Sequence, residues 1–298
     1  NVAGALAAGG GMIALFGLQG ALLVLAAVSV VAGLLSTIMI TSKGYTRRLT
    51  LTAGLLAIVF GLRFPPQWDP IMMTSGVYKE APLYLGLADK KRLRDLFSAY
   101  QLLFYKEGNQ STVSVVERPT LKRIPHRILA IDGKVDASTG ADMSTQVLSG
   151  HLPLLFHPSP RRVFIIGLAS GVTAGSVATH AGVDSITVAE IEPAVAESAR
   201  AFGAFNHEIL SDRRTQLILD DGRHALGLTR KRFDVIISEP SNPWMSGPAR
   251  LFTQEFFQQV KKHLNKNSLF AQWVPLYGLS TALLKAEVRT FLNVFPYA

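Results

Sequence analysis

The 298-residue chain contains no cysteine. Disulfide scaffolds, cysteine-ligated zinc, iron–sulfur clusters and thiol nucleophiles are therefore excluded. It has no acidic residue up to Phe64, where only Lys43, Arg47, Arg48 and Arg63 carry charge. From Pro65 onward there are 26 basic and 21 acidic residues, so the net +9 divides into +4 and +5 over two unlike parts. No stripe of Lys and Arg with interleaved aromatics stands out, which argues against a nucleic-acid partner. The seven His show no HExxH spacing and no metal-ligand clustering, so no metal is expected. No Ser stands in a GxSxG elbow. His151 and His157 are expected as capping or surface residues.

What the first part has is apolar length. No charge interrupts Val2 to Ser42, a stretch too long for one span of ~20 residues. Gly17-Leu18-Gln19-Gly20 offers a break, with one helix ending near Phe16 and a second running from about Ala21 to Ile40. Leu49–Leu62 is a third apolar run, at ~21 Å short of a ~30 Å hydrocarbon core. It would span with bilayer thinning or lie in the interface. A signal peptide fits poorly, because no basic segment precedes the apolar run; a buried pair of soluble helices is the other alternative. Residues 1–64 are thus expected to be transmembrane helices, a fragment of a larger membrane region in a multi-pass protein. The basic loop Lys43–Arg48 points to the cytoplasmic side. If the third run spans, the remainder would lie outside. A nucleotide-type cosubstrate made in the cytoplasm favours a cytoplasmic catalytic part.

Residues 65–77, Pro-rich around Trp68, are expected to be a linker. Residues 78–150 should form an N-terminal helix and β-hairpin domain. Helical periodicity covers 89–100, and short β-type runs follow at Leu102–Glu107, Thr112–Glu117 and Arg127–Ile131, punctuated by Gly108-Asn109 and Asp132-Gly133. Over 151–298 strands and helices alternate. Strands are expected at Val163–Ile166, Ser185–Ile191, Thr215–Leu219, Phe233–Ser238 and Ser268–Val274. Helices are expected after Gly171, from Pro193, and around Arg223–Leu228, Thr253–Leu264 and Thr281–Phe295. Such alternation predicts an α/β fold with a doubly wound parallel sheet.

Ligands of doubly wound sheets bind at the carboxyl ends of the strands. Those ends carry Gly167–Gly171, then Glu190 and Glu192, then Asp220-Asp221-Gly222, then Ser238–Trp244. Glycines allow a backbone to approach a ligand, and a carboxylate after the second strand can accept ribose hydroxyls. Each cluster alone is weak, because tight turns, N-caps and solvated acids look the same. Together they favour a nucleoside-binding enzyme over a structural domain. A dinucleotide and an S-adenosyl ligand both suit the pattern. The pyrophosphate fingerprint lacks its third glycine, and Asp221-Gly222 suits an adenine pocket, so the S-adenosyl ligand is preferred. Pro240 and Pro243 fix the backbone around Glu239 and Asn242. Glu239 there could serve as a general base toward an amine or form a structural ion pair. Trp244 would either stack on a ligand or pack in the core, and packing is the expectation.

These residues resemble the spermidine synthase family of polyamine aminopropyltransferases. The resemblance rests on the Asp132-Gly133 hairpin, Leu152-Pro153-Leu154, His157-Pro158, Arg161–Gly171, Val188–Glu192, Asp221-Gly222, Phe233–Ile237 and Gly247-Pro248, and it covers roughly 78–298. Ser238-Glu239-Pro240-Ser241-Asn242-Pro243-Trp244, with Leu251-Phe252-Thr253 and Glu255-Phe256-Phe257, resembles a bacterial branch fused to membrane helices. The resemblance implies a β-sheet lid on a Rossmann-like domain. It implies aminopropyl transfer from decarboxylated S-adenosylmethionine to an amine such as putrescine, releasing methylthioadenosine. It implies a cosubstrate cradle of Gly167, Ser170, Gly171, Glu190 (ribose), Asp221 (adenine) and Gly222, with Glu239 at the place of the catalytic Asp and Asn242 at that of its second acid. Asp136, Asp142 and Gln146 fall on the amine side. Ser170 replaces the loop Asp that repels a carboxylate, so intact S-adenosylmethionine is no longer excluded. Asp136 replaces a Gln, and Ala141, Asp142 and Thr145 replace the diamine-gripping acids and Tyr. The chain also stops before the family's last strands. The expected function is a membrane-anchored aminopropyltransferase; an S-adenosylmethionine-dependent methyltransferase and a non-catalytic nucleoside-binding membrane module are the alternatives. The expected partners are a small-molecule amine, the lipid bilayer of the bacterial inner membrane, and a second copy of the chain in a homodimer.

Overall fold

The structure, a computed structural model, describes residues 11–40, 44–64, 68–79, 81–84, 90–108, 110–120 and 124–297. It divides into two compact units, residues 1–73 with 107–111, and 74–106 with 112–298.

In the first unit, α1 (Ile13–Ile40) is almost wholly apolar. Gly17, at φ 69° and ψ 174°, breaks its helical geometry where the sequence placed a break. Polar side chains in α1 are satisfied internally: Ser29, Ser36 and Thr37 donate to the carbonyls of Leu25, Ala32 and Gly33 four residues back. Helix α2 (Tyr45–Arg63) packs on α1 at Gly54, where a Cβ would lie 2.5 Å from Leu34 Cδ2. Among the described residues one helix is long and apolar enough to cross a membrane, over Leu15–Met39 with mean hydropathy 2.5. Helix α2 does not reach that standard, because Arg47, Arg48 and Arg63 stand within its ends. The multi-pass expectation is therefore reduced to one candidate span. Lys43 and Pro65-Pro66-Gln67 lie outside the described residues, as does the start of the expected first helix. Asp69 caps a single turn at Pro70–Met73 by accepting from the N–H of Ile71 and Met72.

In the second unit a short helix, α3 (Lys90–Phe97), precedes a four-stranded antiparallel sheet in the order β1 (Gln101–Glu107), β2 (Thr112–Arg118), β3 (His126–Ile131), β4 (Lys134–Ser138). Asp132 and Gly133, at φ 49° and 74°, close the β3–β4 hairpin, as a two-residue turn of the primed type requires. Then follow α4 (Met143–Phe156), β5 (Arg162–Ile166), α5 (Val172–Ala178), β6 (Ser185–Glu190), α6 (Pro193–Ser198), β7 (Thr215–Leu219), α7 (Gly222–Leu228), β8 (Phe233–Ser238), α8 (Gln254–His263), β9 (Leu264–Gln272) and α9 (Thr281–Leu292). Strands β5 to β9 form an all-parallel sheet in the order β7-β6-β5-β8-β9. The expected last strand, Ser268–Val274, begins earlier, because Leu264 already pairs with Phe233 ahead of a bulge.

The period of two in β5 feeds two cores. Val163 and Ile165 join Val177, Ile186, Val188 and Ile237 on one face. Phe164 and Ile166 join Leu226, Ile236, Phe256 and Phe257 on the other. A parallel sheet buried on both faces needs such uninterrupted apolar strands. A third cluster fastens the antiparallel sheet to α6 and the helical turn after it, through Val113, Val115 and Leu129 against Ala194, Val195 and Phe202. The chain winds from β5 to β6 and β7 on one side, and to β8 and β9 on the other. The reversal leaves a crevice between the carboxyl ends of β5 and β8, the usual ligand position in such sheets.

Candidate active site

The loop after β5 is bent for close approach. Gly167, Ala169 and Gly171 have φ of 93°, 47° and 79°. A Cβ on Gly167 would stand 3.0 Å from the carbonyl oxygen of Glu239, and one on Gly171 would stand 2.9 Å from Asn206 Nδ2. Glycine at both positions thus brings the β5 loop against the β8 loop and the turn that buries Asn206. Ser170 is buried at 1% exposure. Its hydroxyl donates to Gln146 Oε1 at 2.5 Å, and its carbonyl accepts from Asn206 Nδ2 at 2.8 Å.

Glu190 ends β6 with 7% exposure. Its two oxygens accept from the N–H of Leu168 and of Glu192, each at 2.9 Å. Burial, the largest influence, holds its pKa above the ordinary carboxyl range, against the opposing pull of the amides of Glu192, Leu168, Ala169 and Ile191. A carboxylate oxygen has further lone pairs, so these bonds orient Glu190 and leave acceptor capacity. Glu192 caps α6 through the N–H of Ala194, followed by Pro193 at the first helical position. Asp221 caps α7 by accepting from the N–H of Arg223 (2.8 Å) and His224 (3.1 Å). Its neighbour Asp220 binds His224 Nδ1 at 2.6 Å, which lowers the Asp220 pKa. Gly222 lets α7 sit on the end of β5, since a Cβ there would fall 2.4 Å from Ile166 Cγ2.

After β8 the Glu239 N–H donates to Ile166 O at 3.0 Å, locking the two central strand ends together. The Glu239 side chain lies in a cavity of about 320 Å³ between α4 and the ends of β8 and β9. Burial raises its pKa; side-chain hydrogen bonds with Thr173 and Ser149 oppose the rise. Among the described residues Glu239 makes no ion pair, so the structural-pair alternative has no partner. Asn242 is 2% exposed and accepts from Tyr277 OH at 3.4 Å. Trp244 departs from the packing expectation: it is half exposed and meets Tyr277 edge to face at 6.3 Å. It belongs to the loop surface because the chain turns outward after Pro243.

The residues assigned to the amine side are engaged with the protein. Asp142 accepts from the Ser138 N–H at 2.6 Å, from the Ser138 hydroxyl and from Gln146 Nε2 at 3.0 Å. Gln146 also donates to Ser138 O at 2.8 Å, so it ties β4, α4 and the glycine loop together. Asp136 pairs with Lys134 Nζ and accepts from Ser241 Oγ at 3.0 Å. Lys134, with a side chain only 9% exposed, also donates to Ser241 Oγ at 2.6 Å. Sequence reasoning passed over Lys134, although its i,i+2 spacing from Asp136 places both on one face of β4. It also passed over Ser149, Thr173, Gln272, Trp273 and Tyr277, which reach the site from α4, α5 and the end of β9. Ser149 and Thr173 stand just outside the Leu152-Pro153-Leu154 and Gly167–Gly171 segments, and no motif marks Gln272, Trp273 or Tyr277.

His151 is not a surface cap. Its Nδ1 lies 2.8 Å from His180 Nε2, joining α4 to the end of α5. His157 does cap α4 and accepts from the Ser159 N–H. Among the described residues no group of three or more acidic or His side chains could hold a metal ion.

The model of the spermine/spermidine synthase domain matches residues 143–296. A polyamine aminopropyltransferase of Erwinia tasmaniensis is 31% identical over 175 residues, covering 58% of this chain and 60% of that protein. A crystal structure of spermidine synthase in complex with the transition state analogue AdoDATO matches with a TM-score of 0.59 and 25% identity, covering 66% of each chain. Spermidine synthase from Thermotoga maritima matches with a TM-score of 0.57 and 25% identity, covering 66% of this chain and 65% of that one. The matched region spans less than two thirds of these relatives.

Proposed function

The chain belongs to the spermine/spermidine synthase family, and from that membership we propose that it is an aminopropyltransferase acting on a small-molecule amine. The donor is decarboxylated S-adenosylmethionine and the by-product methylthioadenosine. Glu190 takes the ribose hydroxyls, Asp221 the adenine edge, and the Gly167–Gly171 loop the sulfonium end. The observation that carries this reading is the half-buried carboxyl of Glu239, which borders the glycine loop at the crevice and is unpaired by any cation among the described residues.

The chemistry follows from that carboxyl. An alkylammonium has no lone pair and cannot attack. Glu239 as carboxylate accepts one proton from it; the freed nitrogen attacks the methylene carbon on sulfur. The new C–N bond forms as the C–S bond breaks, and the bonding pair returns to sulfur as a neutral thioether. Burial helps, because a desolvated carboxylate is a stronger base. Asn242 holds the loop through Tyr277. Glu239→Gln should lower kcat by roughly 10²–10⁴-fold and leave methylthioadenosine affinity within a few-fold. Unchanged kcat would remove Glu239 from the mechanism.

Ser170 favours a second reading. With no negative charge in the loop, a donor carboxylate is tolerated and intact S-adenosylmethionine can bind for methyl transfer. S-adenosylhomocysteine as the product, in place of methylthioadenosine, would establish it.

Helix α1 serves as a membrane anchor in the bacterial inner membrane. With α2 in the interface, the catalytic part stays on the cytoplasmic side marked by Lys43, Arg47 and Arg48.

A further inference from the structure

The cavity that holds Glu239 is walled by Leu148, Leu152, Pro153, Ile237, Ala271 and Trp273. Among the described residues lining it, Glu239 is the sole charged side chain; Thr145, Ser149 and Gln272 supply the polar ones. The apolar character continues outward. Leu148 and Leu152 are exposed at its rim, and Leu155 and Phe156 extend the same helix, α4, at 71% and 77% exposure. Gln272 lines the cavity with its carbonyl oxygen closed off, and its amide donates to Trp273 O at 3.1 Å.

The two acids assigned to the amine side are already occupied. Asp136 holds the ammonium of Lys134 and the hydroxyl of Ser241. Asp142 holds two groups of Ser138 and the amide of Gln146. No carboxylate remains at the far end of the cavity, opposite Glu239, among the described residues.

Resting on the transferase reading above, we propose that the acceptor is a primary monoamine with an apolar body, an alkylamine or arylalkylamine, and not an α,ω-diamine. One ammonium group pairs with Glu239, and a remaining N–H meets the Ser149 hydroxyl. The body of the molecule lies against Leu148, Leu152 and Ile237 and gains from leaving water. A diamine of similar length would bring a second ammonium to the leucine rim. That group would lose hydration without a counter-charge, which is unfavourable. Pocket size agrees: about 320 Å³ admits a six- to eight-carbon amine, at the small end of ligand sites.

The test uses the full chain in detergent with hexylamine, phenethylamine and putrescine as acceptors, and both S-adenosylmethionine and its decarboxylated form as donors. Methylthioadenosine is read by mass spectrometry. Binding of each amine to methylthioadenosine-loaded protein is read by calorimetry. The expected result is kcat/KM and affinity for hexylamine at least ten-fold above those for putrescine. Leu148→Glu, which supplies a carboxylate at the rim, should reverse the order by at least ten-fold. Methylthioadenosine formed with putrescine preferred overturns this inference and leaves the transferase standing. Methylthioadenosine from no amine removes the transferase reading, and the calorimetric order then decides the preference of the cavity: putrescine binding as tightly as hexylamine overturns it.

Discussion

Glu190 and Glu239 stand at the ends of β6 and β8, the strands on either side of β5, and both titrate above the ordinary value of 4.5 because desolvation penalises their charged forms. A raised carboxyl pKa means the folded state holds its proton more tightly than the unfolded one. The associated stability is present below the unfolded pKa and is lost as pH rises through the folded pKa. Unfolding free energy should therefore fall as pH climbs from 4.5 through the raised pKa values, and Glu239→Gln should flatten part of that slope in a pH series of denaturant titrations. Catalysis runs the other way, since the base must be ionised. The acid limb of kcat/KM should lie above pH 4.5; a limb at the ordinary value would contradict the burial of Glu239. Lys134 gives a second residue-scale prediction. Lys134→Met strands Asp136 in a nearly buried position and should cost about 3 kcal/mol in denaturant unfolding. Adding Asp136→Leu should recover most of that loss, because the orphaned charge and not the missing bond dominates the penalty.

At the scale of elements, glycines decide how closely neighbours approach. In α5, a Cβ on Gly175 would fall 2.2 Å from the backbone oxygen of Asn206. Backbone cannot step aside as a side chain can, so Gly175→Ala should destabilise by roughly 1–3 kcal/mol and loosen the turn that supports Ser170. Gly182 is the internal control: its nearest neighbour would lie 3.9 Å away, so Gly182→Ala should change stability by less than about 0.5 kcal/mol. Equal effects in thermal or denaturant melts would refute the close-approach account. The elements themselves were mostly readable. Apolar runs of five or six residues, with caps at Glu192, Asp221, Thr253 and Ser280, mark the alternation of β5 to α9 because each is a local signal. The start of β9 was missed because Asn265, Lys266 and Asn267 interrupt its apolar pattern; pairing with β8 overrides their propensity.

At the scale of the whole molecule, α1 is the feature that the second unit does not need for its core. The second unit closes its own three apolar clusters from residues 113 to 294. A chain lacking residues 1–64 should move from the membrane pellet to the supernatant on ultracentrifugation and still unfold cooperatively. Retention in the pellet would take the anchor away from α1.

The sequence by itself determined the α/β class, the order of strands and helices, and which acids fall at strand ends, because these depend on periodicity and on caps within a few residues. It also carried the family, through motifs that are contiguous in the chain. Tertiary structure alone decided what those acids are free to do. Asp136, equal to any other acid on paper, is paired with Lys134, and Asp142 is engaged by the neutral donors of Ser138 and Gln146. Among the described residues Glu239 meets no cation, and it keeps its proton affinity. Availability of a charge depends on which partners the fold brings within hydrogen-bond distance, and that distance is set by packing across elements far apart in the chain.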